Sequence, residues 1–297
     1  MPRTELVVVS GDVSLPGVLT APDEPARAGI VTLHPASGPS REYFLFEHLA
    51  SLAAPLGIAV LSYDRRPPEG QDDVPFARQA DDALAAVAAI RERVGDDVPV
   101  GLWAFSQGAW AAPVAAVSDA RIAFLVLVGA SGVSPAEQMR YSAAETVSRA
   151  GYGERAAEQA AETRGAVEAL LRGEATVEQA QAAIDEVADE QWFDLLWLPR
   201  TVPSDGDASW TDMDFDPAPV IRDVRCPVLL VYGDDEAVPA DRSIEVWRGA
   251  ASERRDVVRL PRSTHVPTTD GAETLATVDP DYEQGLLDWL RQVVLAR

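Results

Sequence analysis

Short apolar runs alternate with longer segments of helical periodicity along most of the chain. The runs lack polar positions on either face, which is typical of strands buried on both sides in a mainly parallel sheet. Ser10-Gly11-Asp12 joins the first two runs, and this turn signal predicts an antiparallel hairpin. The eight predicted strands are Leu6–Val9, Val13–Thr20, Gly29–Leu33, Ile58–Ser62, Val98–Trp103, Phe124–Val128, Pro227–Tyr232 and Asp256–Leu260.

Between these runs, apolar residues three and four positions apart predict amphipathic helices. Such alternation is typical of an α/β fold, so we predict a mainly parallel eight-stranded sheet flanked by helices. The predicted flanking helices are Glu42–Ala54, Phe76–Val94, Gln107–Val117, Ala240–Ala250 and Asp281–Leu295.

The alternation stops between residues 134 and 199, where the sequence is helical without strands. Ser134-Pro135-Ala136-Glu137 and Thr176-Val177-Glu178-Gln179 are capping boxes that predict helix starts. Pro199–Pro219, rich in Asp, Ser and Pro, predicts a loop that leads back to the sheet. We therefore predict a helical cap inserted into the sheet. The predicted division is a first core part over 1–132, the cap over 133–218 and a second core part over 219–297.

Aromatic residues cluster towards the end of this insertion. Trp192, Phe193, Trp197 and Trp210 have two interpretations. They either pack the insertion against the main body, or some of them line an apolar substrate pocket under a lid. The candidate pocket residues are Trp192, Trp197 and Trp210.

Composition narrows the possible functions. The 297 residues are 47% hydrophobic and carry a net charge of -23, which disfavours nucleic acid and anionic membranes as partners. The chain has no lysine, so Schiff-base chemistry, pyridoxal phosphate attachment and a P-loop lysine are excluded. Arginine as the only strong base, with abundant alanine, is typical of a GC-rich bacterial genome. The single cysteine, Cys226, precedes a proline at the start of a strand and is interpreted as a small core residue.

Targeting signals are not evident in the sequence. The first apolar run is too short for a signal peptide. No run approaches the roughly 18 apolar residues of a membrane span. We therefore expect a cytoplasmic protein.

The strand Val98–Trp103 leads into Ala104-Phe105-Ser106-Gln107-Gly108 and then into an alanine-rich helix. A serine between small residues at a strand-to-helix turn is the nucleophile-elbow pattern. The small residues are needed because strand and helix pass close together at such a turn. Ala104 replaces the usual glycine and adds only one methyl group. The pattern makes Ser106 the candidate nucleophile.

A serine hydroxyl needs a base to take its proton and a carboxylate to orient that base. The only histidine after the elbow is His265, just past the last predicted strand. Three acids, Asp234, Asp235 and Glu236, follow the preceding strand. Parallel strands bring both loops to the sheet edge where Ser106 emerges, which is where open α/β sheets bind ligands.

Several segments at strand ends carry a family resemblance. They are His34-Pro-Ala-Ser-Gly-Pro-Ser-Arg41, Tyr63-Asp-Arg-Arg66, Trp103-Ala-Phe-Ser-Gln-Gly108, Tyr232-Gly-Asp-Asp-Glu-Ala-Val-Pro239 and Leu260-Pro-Arg-Ser-Thr-His265. With these segments the chain resembles the α/β-hydrolases of the dienelactone-hydrolase and prolyl-oligopeptidase-like esterase group. The resemblance covers most of the chain outside the helical insertion.

This resemblance implies a Ser–Asp–His triad of Ser106, an acid after the seventh strand and His265. Families of this kind often have an aspartate three residues after the glycine and a Val-Pro pair behind it, but this chain is one residue shorter. Counting back from Val238-Pro239 selects Asp235, and counting on from Gly233 selects Glu236. Our prediction is Asp235. The oxyanion hole is expected to use the backbone N–H of Gln107 and that of Ala36 or Ser37, because Pro35 has no N–H.

The remaining basic side chains are assigned structural roles. We expect His34 to be a structural loop histidine and His48 to pack on a helix face. Arg65 and Arg66 are expected to fix the loop around Asp64, with a grip on a substrate carboxylate as the alternative. The acids show no metal-ligand pattern with a second His or Cys, so we predict no metal and no cofactor.

The sequence therefore predicts a serine hydrolase that cleaves a carboxylic ester or thioester of a small-to-medium apolar acyl substrate. Two alternatives stay open. The first is an acyltransferase, cyclase or C–C bond lyase of a natural-product pathway on the same fold. The second is a non-catalytic protein that binds a small ligand. The expected partner is a small acyl compound, with neither nucleic acid nor membrane involved, and a homodimer stays open.

Overall fold

Eight strands form one sheet in the computed structural model, which describes residues 2–68, 73–202 and 210–296. The order across the sheet is β1-β2-β4-β3-β5-β6-β7-β8. The first two strands form the antiparallel hairpin, and the other six run parallel to one another. The strands are β1 Arg3–Ser10, β2 Val13–Thr20, β3 Ala28–Leu33, β4 Ile58–Tyr63, β5 Val100–Phe105, β6 Ile122–Val128, β7 Val228–Asp235 and β8 Arg255–Thr264. This confirms the predicted mainly parallel sheet.

Helices cover both faces of the sheet. The α-helices are α1 Phe44–Ala53, α2 Phe76–Val94, α3 Gly108–Ser118, α4 Pro135–Arg149, α5 Glu154–Leu171, α6 Val177–Asp185, α7 Ala218–Asp223, α8 Ala240–Arg248 and α9 Pro280–Trp289. Short 3-10 helices span Ala54–Leu56, Phe193–Leu196 and Leu275–Thr277, and a π-helical turn spans Leu290–Val294. Residues of α2, α3, α7 and α8 pack on one face, and those of α1 and α9 on the other. The central strands are buried on both sides, as their continuous apolar runs require.

The segment between β6 and β7 contains α4, α5 and α6 and no strand among its described residues. Ser134 and Thr176 cap α4 and α6 with their side chains, as the two capping boxes predict. The segment has its own apolar core, separate from the two cores that cover the sheet. The predicted loop Pro199–Pro219 lies partly outside the described residues, and the helix that follows, α7, was not predicted.

The ends of β7 and β8 differ from the sequence prediction. Both strands continue past the predicted ends and pair as far as Asp235 and Thr264. Between Gly233 and Asp235 the register shifts, because β8 advances four residues while β7 advances two. A Cβ at Gly233 would lie 2.1 Å from the carbonyl oxygen of Thr264, so only glycine fits this close approach. A bulge of this kind re-aims the side chains that follow it.

Candidate active site

The nucleophile elbow has the backbone geometry that its sequence predicts. Ser106 follows β5 directly and has a positive φ of 53°, which is uncommon for a residue with a side chain. Its N–H donates to the carbonyl of Val128 at 2.9 Å, which fixes the turn to the neighbouring strand. A Cβ at Gly108 would lie 2.9 Å from the carbonyl oxygen of His34. Glycine is therefore required where α3 crosses the loop after β3.

Three side chains from three loops form a continuous hydrogen-bonded relay. Ser106 Oγ and His265 Nε2 lie 2.8 Å apart, and His265 Nδ1 contacts Glu236 Oε1 in a short hydrogen bond. The carboxylate accepts only, so Nδ1 carries the proton and donates to it. In the neutral ring Nε2 then accepts from the hydroxyl of Ser106. This is the tautomer in which an imidazole can take a proton from serine.

The structure corrects the predicted acid. Glu236 is almost fully buried against His265, whereas the side chain of Asp235 is 72% exposed and lies 4.0 Å from Arg149. Successive side chains of an extended segment point to opposite sides, so Asp235 and Glu236 cannot both face the histidine. Because β7 continues to Asp235, its side chain points outward and the next residue turns inward. Asp234 is exposed as well.

Burial and charge act in opposite directions on His265. Burial favours the neutral ring, but the charge of Glu236 and its hydrogen bond outweigh this effect, so the pKa of His265 lies above its usual value. The second carboxylate oxygen of Glu236 is buried without a partner among the described residues. The ring of Phe105 lies 5.1 Å from that of His265 and covers it on one side.

Gly129, directly after β6, supports the ring of His265. It has a φ of +61°, and a Cβ added there would lie 2.6 Å from Cε1 of His265 and 2.9 Å from Nδ1. The sequence analysis missed this residue. Its only signal is a glycine placed directly after a strand at the edge where the candidate nucleophile emerges.

We expect Gly129→Ala to lower kcat by about 10- to 100-fold, because the added methyl pushes the imidazole away from Ser106 and misplacement of about 1 Å has effects of this size. Ester hydrolysis with purified variants measures this. Gly151→Ala is the matched control, since Gly151 also has a positive φ but a Cβ there meets no atom within 4 Å. Equal activity of the two variants would contradict the role assigned to Gly129.

The two predicted sources of the oxyanion hole lie next to each other. Leu33 at the end of β3 pairs with Ala104 of β5, so the loop after β3 borders the elbow. Gln107 is the N-cap residue of α3, and the N–H groups of Ala109 and Trp110 in the first turn donate to the carbonyls of Ser106 and Gln107. Ala36 and Ser37 lie exposed in the neighbouring loop. Their roles as donors stay predictions.

The three arginines around Asp64 each pair with a carboxylate. Asp64 accepts hydrogen bonds from the backbone and side chain of Arg41, whereas Arg65 pairs with Asp73. Arg66 forms a buried two-point ion pair with Asp82 on α2. Arg65 and Arg66 therefore tie the loop around Asp64 to neighbouring segments, which is the role that the sequence predicts for them. Adjacent residues after β4 point to opposite sides, one towards the elbow and one towards α2.

The other two histidines are structural, as predicted. His34 Nε2 donates to the carbonyl of Tyr63 at 2.6 Å, and burial lowers its pKa to about 4, so its ring stays neutral. His48 is buried on α1 and lies 2.7 Å from the carboxylate of Glu283.

The elbow, the order of the residues in the chain and the sheet topology agree with one protein family. A family model described as "Alpha/beta hydrolase family" matches residues 30–278. The chain belongs to the alpha/beta hydrolase family. No curated protein matches its sequence significantly.

Solved structures share the fold of this family member at low sequence identity. The α/β hydrolase GrgF from a Penicillium species has a TM-score of 0.64 and 17% identity, and the match covers 99% of this chain and 100% of that one. The esterase Pf2001 of Pyrococcus furiosus has a TM-score of 0.61, 13% identity and coverage of 99% and 93%. A dienelactone hydrolase of Anabaena variabilis has a TM-score of 0.56, 16% identity and coverage of 98% of both chains. Similarity at these identities shows the fold alone.

The helical insertion of this α/β hydrolase rests on the loop that carries Glu236. Gln138 of α4 donates to the carbonyl of Ala237 at 3.1 Å. Glu137 of the same helix forms a short ion pair with Arg242 on α8. The insertion therefore contacts both chain neighbours of the acid, Asp235 through Arg149 and Ala237 through Gln138.

The predicted pocket tryptophans occupy three different environments. Trp192 is 2% exposed and packs within the core of the insertion, so the prediction that it lines a substrate pocket is wrong. Trp197 is 85% exposed and is not enclosed by other residues. Trp210 is half-buried, and its pocket role stays a prediction. Of the clustered aromatic residues, Trp192 and Phe193 are buried together in the core of the insertion, whereas Trp197 is exposed.

The residues that the structure describes contain neither a metal-binding cluster nor a membrane-spanning helix. Within residues 2–68, 73–202 and 210–296, no group of three or more His, Cys, Asp or Glu side chains is arranged to hold a metal ion. In the same part of the chain, the helices are all too short or too polar to cross a membrane.

Proposed function

We propose that this α/β hydrolase is a serine hydrolase that cleaves a carboxylic ester or thioester through an acyl-enzyme. The observation that carries the proposal is the relay from Ser106 through His265 to Glu236. A neutral imidazole that donates from Nδ1 to the carboxylate can accept the serine proton at Nε2. The acid in this relay is Glu236, in place of the aspartate that the sequence predicted.

Acylation starts when Ser106 Oγ attacks the carbonyl carbon of the substrate and its proton moves to His265 Nε2. The buried carboxylate of Glu236 stabilises the imidazolium that forms. The negative charge on the former carbonyl oxygen is stabilised by the N–H of Gln107 and by that of Ala36 or Ser37. When the tetrahedral intermediate collapses, the bond to the leaving oxygen or sulfur breaks and His265 returns the proton to it.

Deacylation repeats these steps with water. His265 takes a proton from a water molecule, whose oxygen attacks the acyl carbon. Collapse then breaks the bond to Ser106 Oγ, and the serine regains its proton from His265. The acid product leaves and the relay is restored.

We expect kcat/KM to rise with pH through a pKa above the value of about 6.5 of an unperturbed imidazole, because only the neutral ring of His265 accepts the serine proton. The pKa of His265 lies above that value because Glu236 favours the protonated ring. A pH profile of kcat/KM on a nitrophenyl ester measures this limb. A plateau that extends unchanged well below this pH would contradict the assignment of His265 as base.

The test of the proposal combines covalent labelling with turnover. A fluorophosphonate probe reports whether Ser106 is activated, and nitrophenyl esters of increasing acyl length report hydrolysis and the size of the acyl site. Labelling with turnover of one or more esters supports the proposal. Labelling without turnover favours the acyl-transfer alternative, which added alcohols or amines then test. A folded protein that is not labelled would overturn it.

A further inference from the structure

A second series of contacts starts at Gln107 of the elbow and does not include His265. The side-chain amide of Gln107 donates from Nε2 to Oδ2 of Asp73 at 2.5 Å. Gln107 directly follows the nucleophile, and its backbone N–H is the predicted first donor of the oxyanion hole. Asp73 lies just before α2, far from Ser106 in sequence.

Asp73 is in turn held by Arg65. Nη2 of Arg65 donates to Oδ1 of Asp73 at 2.5 Å, and the N–H of Val74 donates to the same oxygen at 2.8 Å. Burial works to raise the pKa of Asp73, but the hydrogen bonds from Gln107 and Arg65 outweigh it and lower that pKa. The carboxylate is therefore ionised at neutral pH and accepts on both oxygens.

Arg65 also reaches the second predicted source of oxyanion donors. Its Nη1 donates to the carbonyl of Ala36 at 3.4 Å, and its backbone N–H donates to the carbonyl of Pro39 at 2.8 Å. The side chain of Arg65 is 9% exposed, so the ion pair with Asp73 is shielded from water on the arginine side. Gln107, Asp73, Arg65 and Ala36 thus form one connected path, which we call the bracing chain.

We propose that Asp73 and Arg65 are positioning residues, and that the bracing chain holds the two halves of the oxyanion hole at a fixed separation. The inference rests on the proposed serine-hydrolase function. One half is the start of α3 and the other is the loop after β3, and these segments do not share a strand. Charge-assisted hydrogen bonds are shorter and stronger than neutral ones, so an ionised Asp73 between them limits their relative movement.

A fixed separation matters because oxyanion donors act only at hydrogen-bond distance from the developing charge. The bracing chain leaves both backbone N–H groups free, since it uses the side chain of Gln107 and the carbonyl of Ala36. Loss of the bracing chain therefore leaves each oxyanion donor present but less well placed. The expected signature is a lower kcat with an unchanged KM.

The central experiment compares Asp73→Ala with Asp119→Ala. Asp119 also binds a buried arginine, Arg91, at 3.0 Å and accepts from a nearby backbone N–H. It lies at the other end of α3 from Gln107, about 18 Å from it by the rise per residue of a helix. We expect Asp73→Ala to lower kcat by about 10- to 100-fold with KM nearly constant. The inhibition constant of phenylboronic acid, which forms a tetrahedral adduct with serine, should rise by the same factor. We expect Asp119→Ala to change neither.

Conservative variants separate positioning from stability. In Asp73→Asn the oxygen of the new amide can still accept from Arg65. Its N–H can donate to the side-chain oxygen of Gln107 once the amide of Gln107 has rotated by half a turn. We therefore expect kcat to stay close to that of the wild type. Gln107→Glu places two carboxylates against each other and should lower kcat while leaving the backbone N–H in place. Adding Asp73→Asn to Gln107→Glu restores a donor–acceptor pair and should recover most of the loss. Thermal melting of each variant shows whether it is folded.

Two failures can be told apart. A wild-type protein that neither hydrolyses nitrophenyl esters nor reacts with a fluorophosphonate would overturn the proposed function and this inference with it. An active wild type with a folded, equally active Asp73→Ala variant of unchanged boronate affinity would overturn the inference alone. So would a loss of kcat in Gln107→Glu that Asp73→Asn does not reduce.

Discussion

Ser106→Ala should lower kcat for ester hydrolysis by about five to six orders of magnitude, because no other group in the relay can form the acyl-enzyme. The proposed oxyanion donors and the histidine remain in this variant, so a residual rate above that of water is expected. Labelling by a fluorophosphonate should be lost completely. Steady-state kinetics on a nitrophenyl ester and gel detection of the label measure the two effects.

Ser131→Ala is the matched control for this variant. Ser131 is also a buried serine at the carboxyl edge of the sheet, three residues after β6, but among the described residues its hydroxyl bonds only to the backbone of Val133. Both labelling and turnover should persist in this control. If Ser106→Ala kept its label, or if Ser131→Ala lost it, a serine other than Ser106 would be the reactive one.

Glu236→Gln should lower kcat by about 10⁴-fold, since loss of the analogous charge beside a catalytic histidine has an effect of that size. The substitution keeps the shape of the side chain and removes the charge that stabilises the imidazolium. It also removes the influence that raises the pKa of His265, so the acid limb of kcat/KM should move to lower pH. Kinetics over a pH series measure both changes in one experiment.

Asp235→Asn provides the comparison within the same loop. Its side chain is largely exposed and faces Arg149, so kcat should stay within about twofold of the wild type, as for most surface substitutions. A large loss in Asp235→Asn together with a small one in Glu236→Gln would reverse the assignment of the acid. The pair of variants therefore tests the correction that the structure makes to the sequence.

Much of the fold followed from the sequence because its signals are local. Continuous apolar runs predicted the buried strands, and the segment without such runs predicted the helical insertion between β6 and β7. The elbow was also visible, since a close crossing of strand and helix requires small residues at fixed positions around Ser106. His265 was identified because it is the only histidine after the elbow.

The choice among neighbouring side chains depended on tertiary pairing. The sequence pattern selects Asp235 by one count and Glu236 by another, and only the extension of β7 along a bulged β8 turns Glu236 towards His265. A shift of one residue reverses the side to which every following side chain points, and spacing alone cannot reveal it. For the same reason the adjacent residues Arg65 and Arg66 bind different carboxylates, Asp73 and Asp82.

Contacts between distant segments were likewise decided by the tertiary structure. Asp73 carries no motif, and its relation to Gln107 exists only because the start of α2 lies beside the start of α3. Gly129 lies under His265 because β6 and the end of β8 reach the same sheet edge. The sequence by itself determined which elements form and where the nucleophile lies, because these depend on local periodicity and close packing. Strand register and contacts between segments far apart in the chain decided which carboxylate and which supporting residues surround the nucleophile.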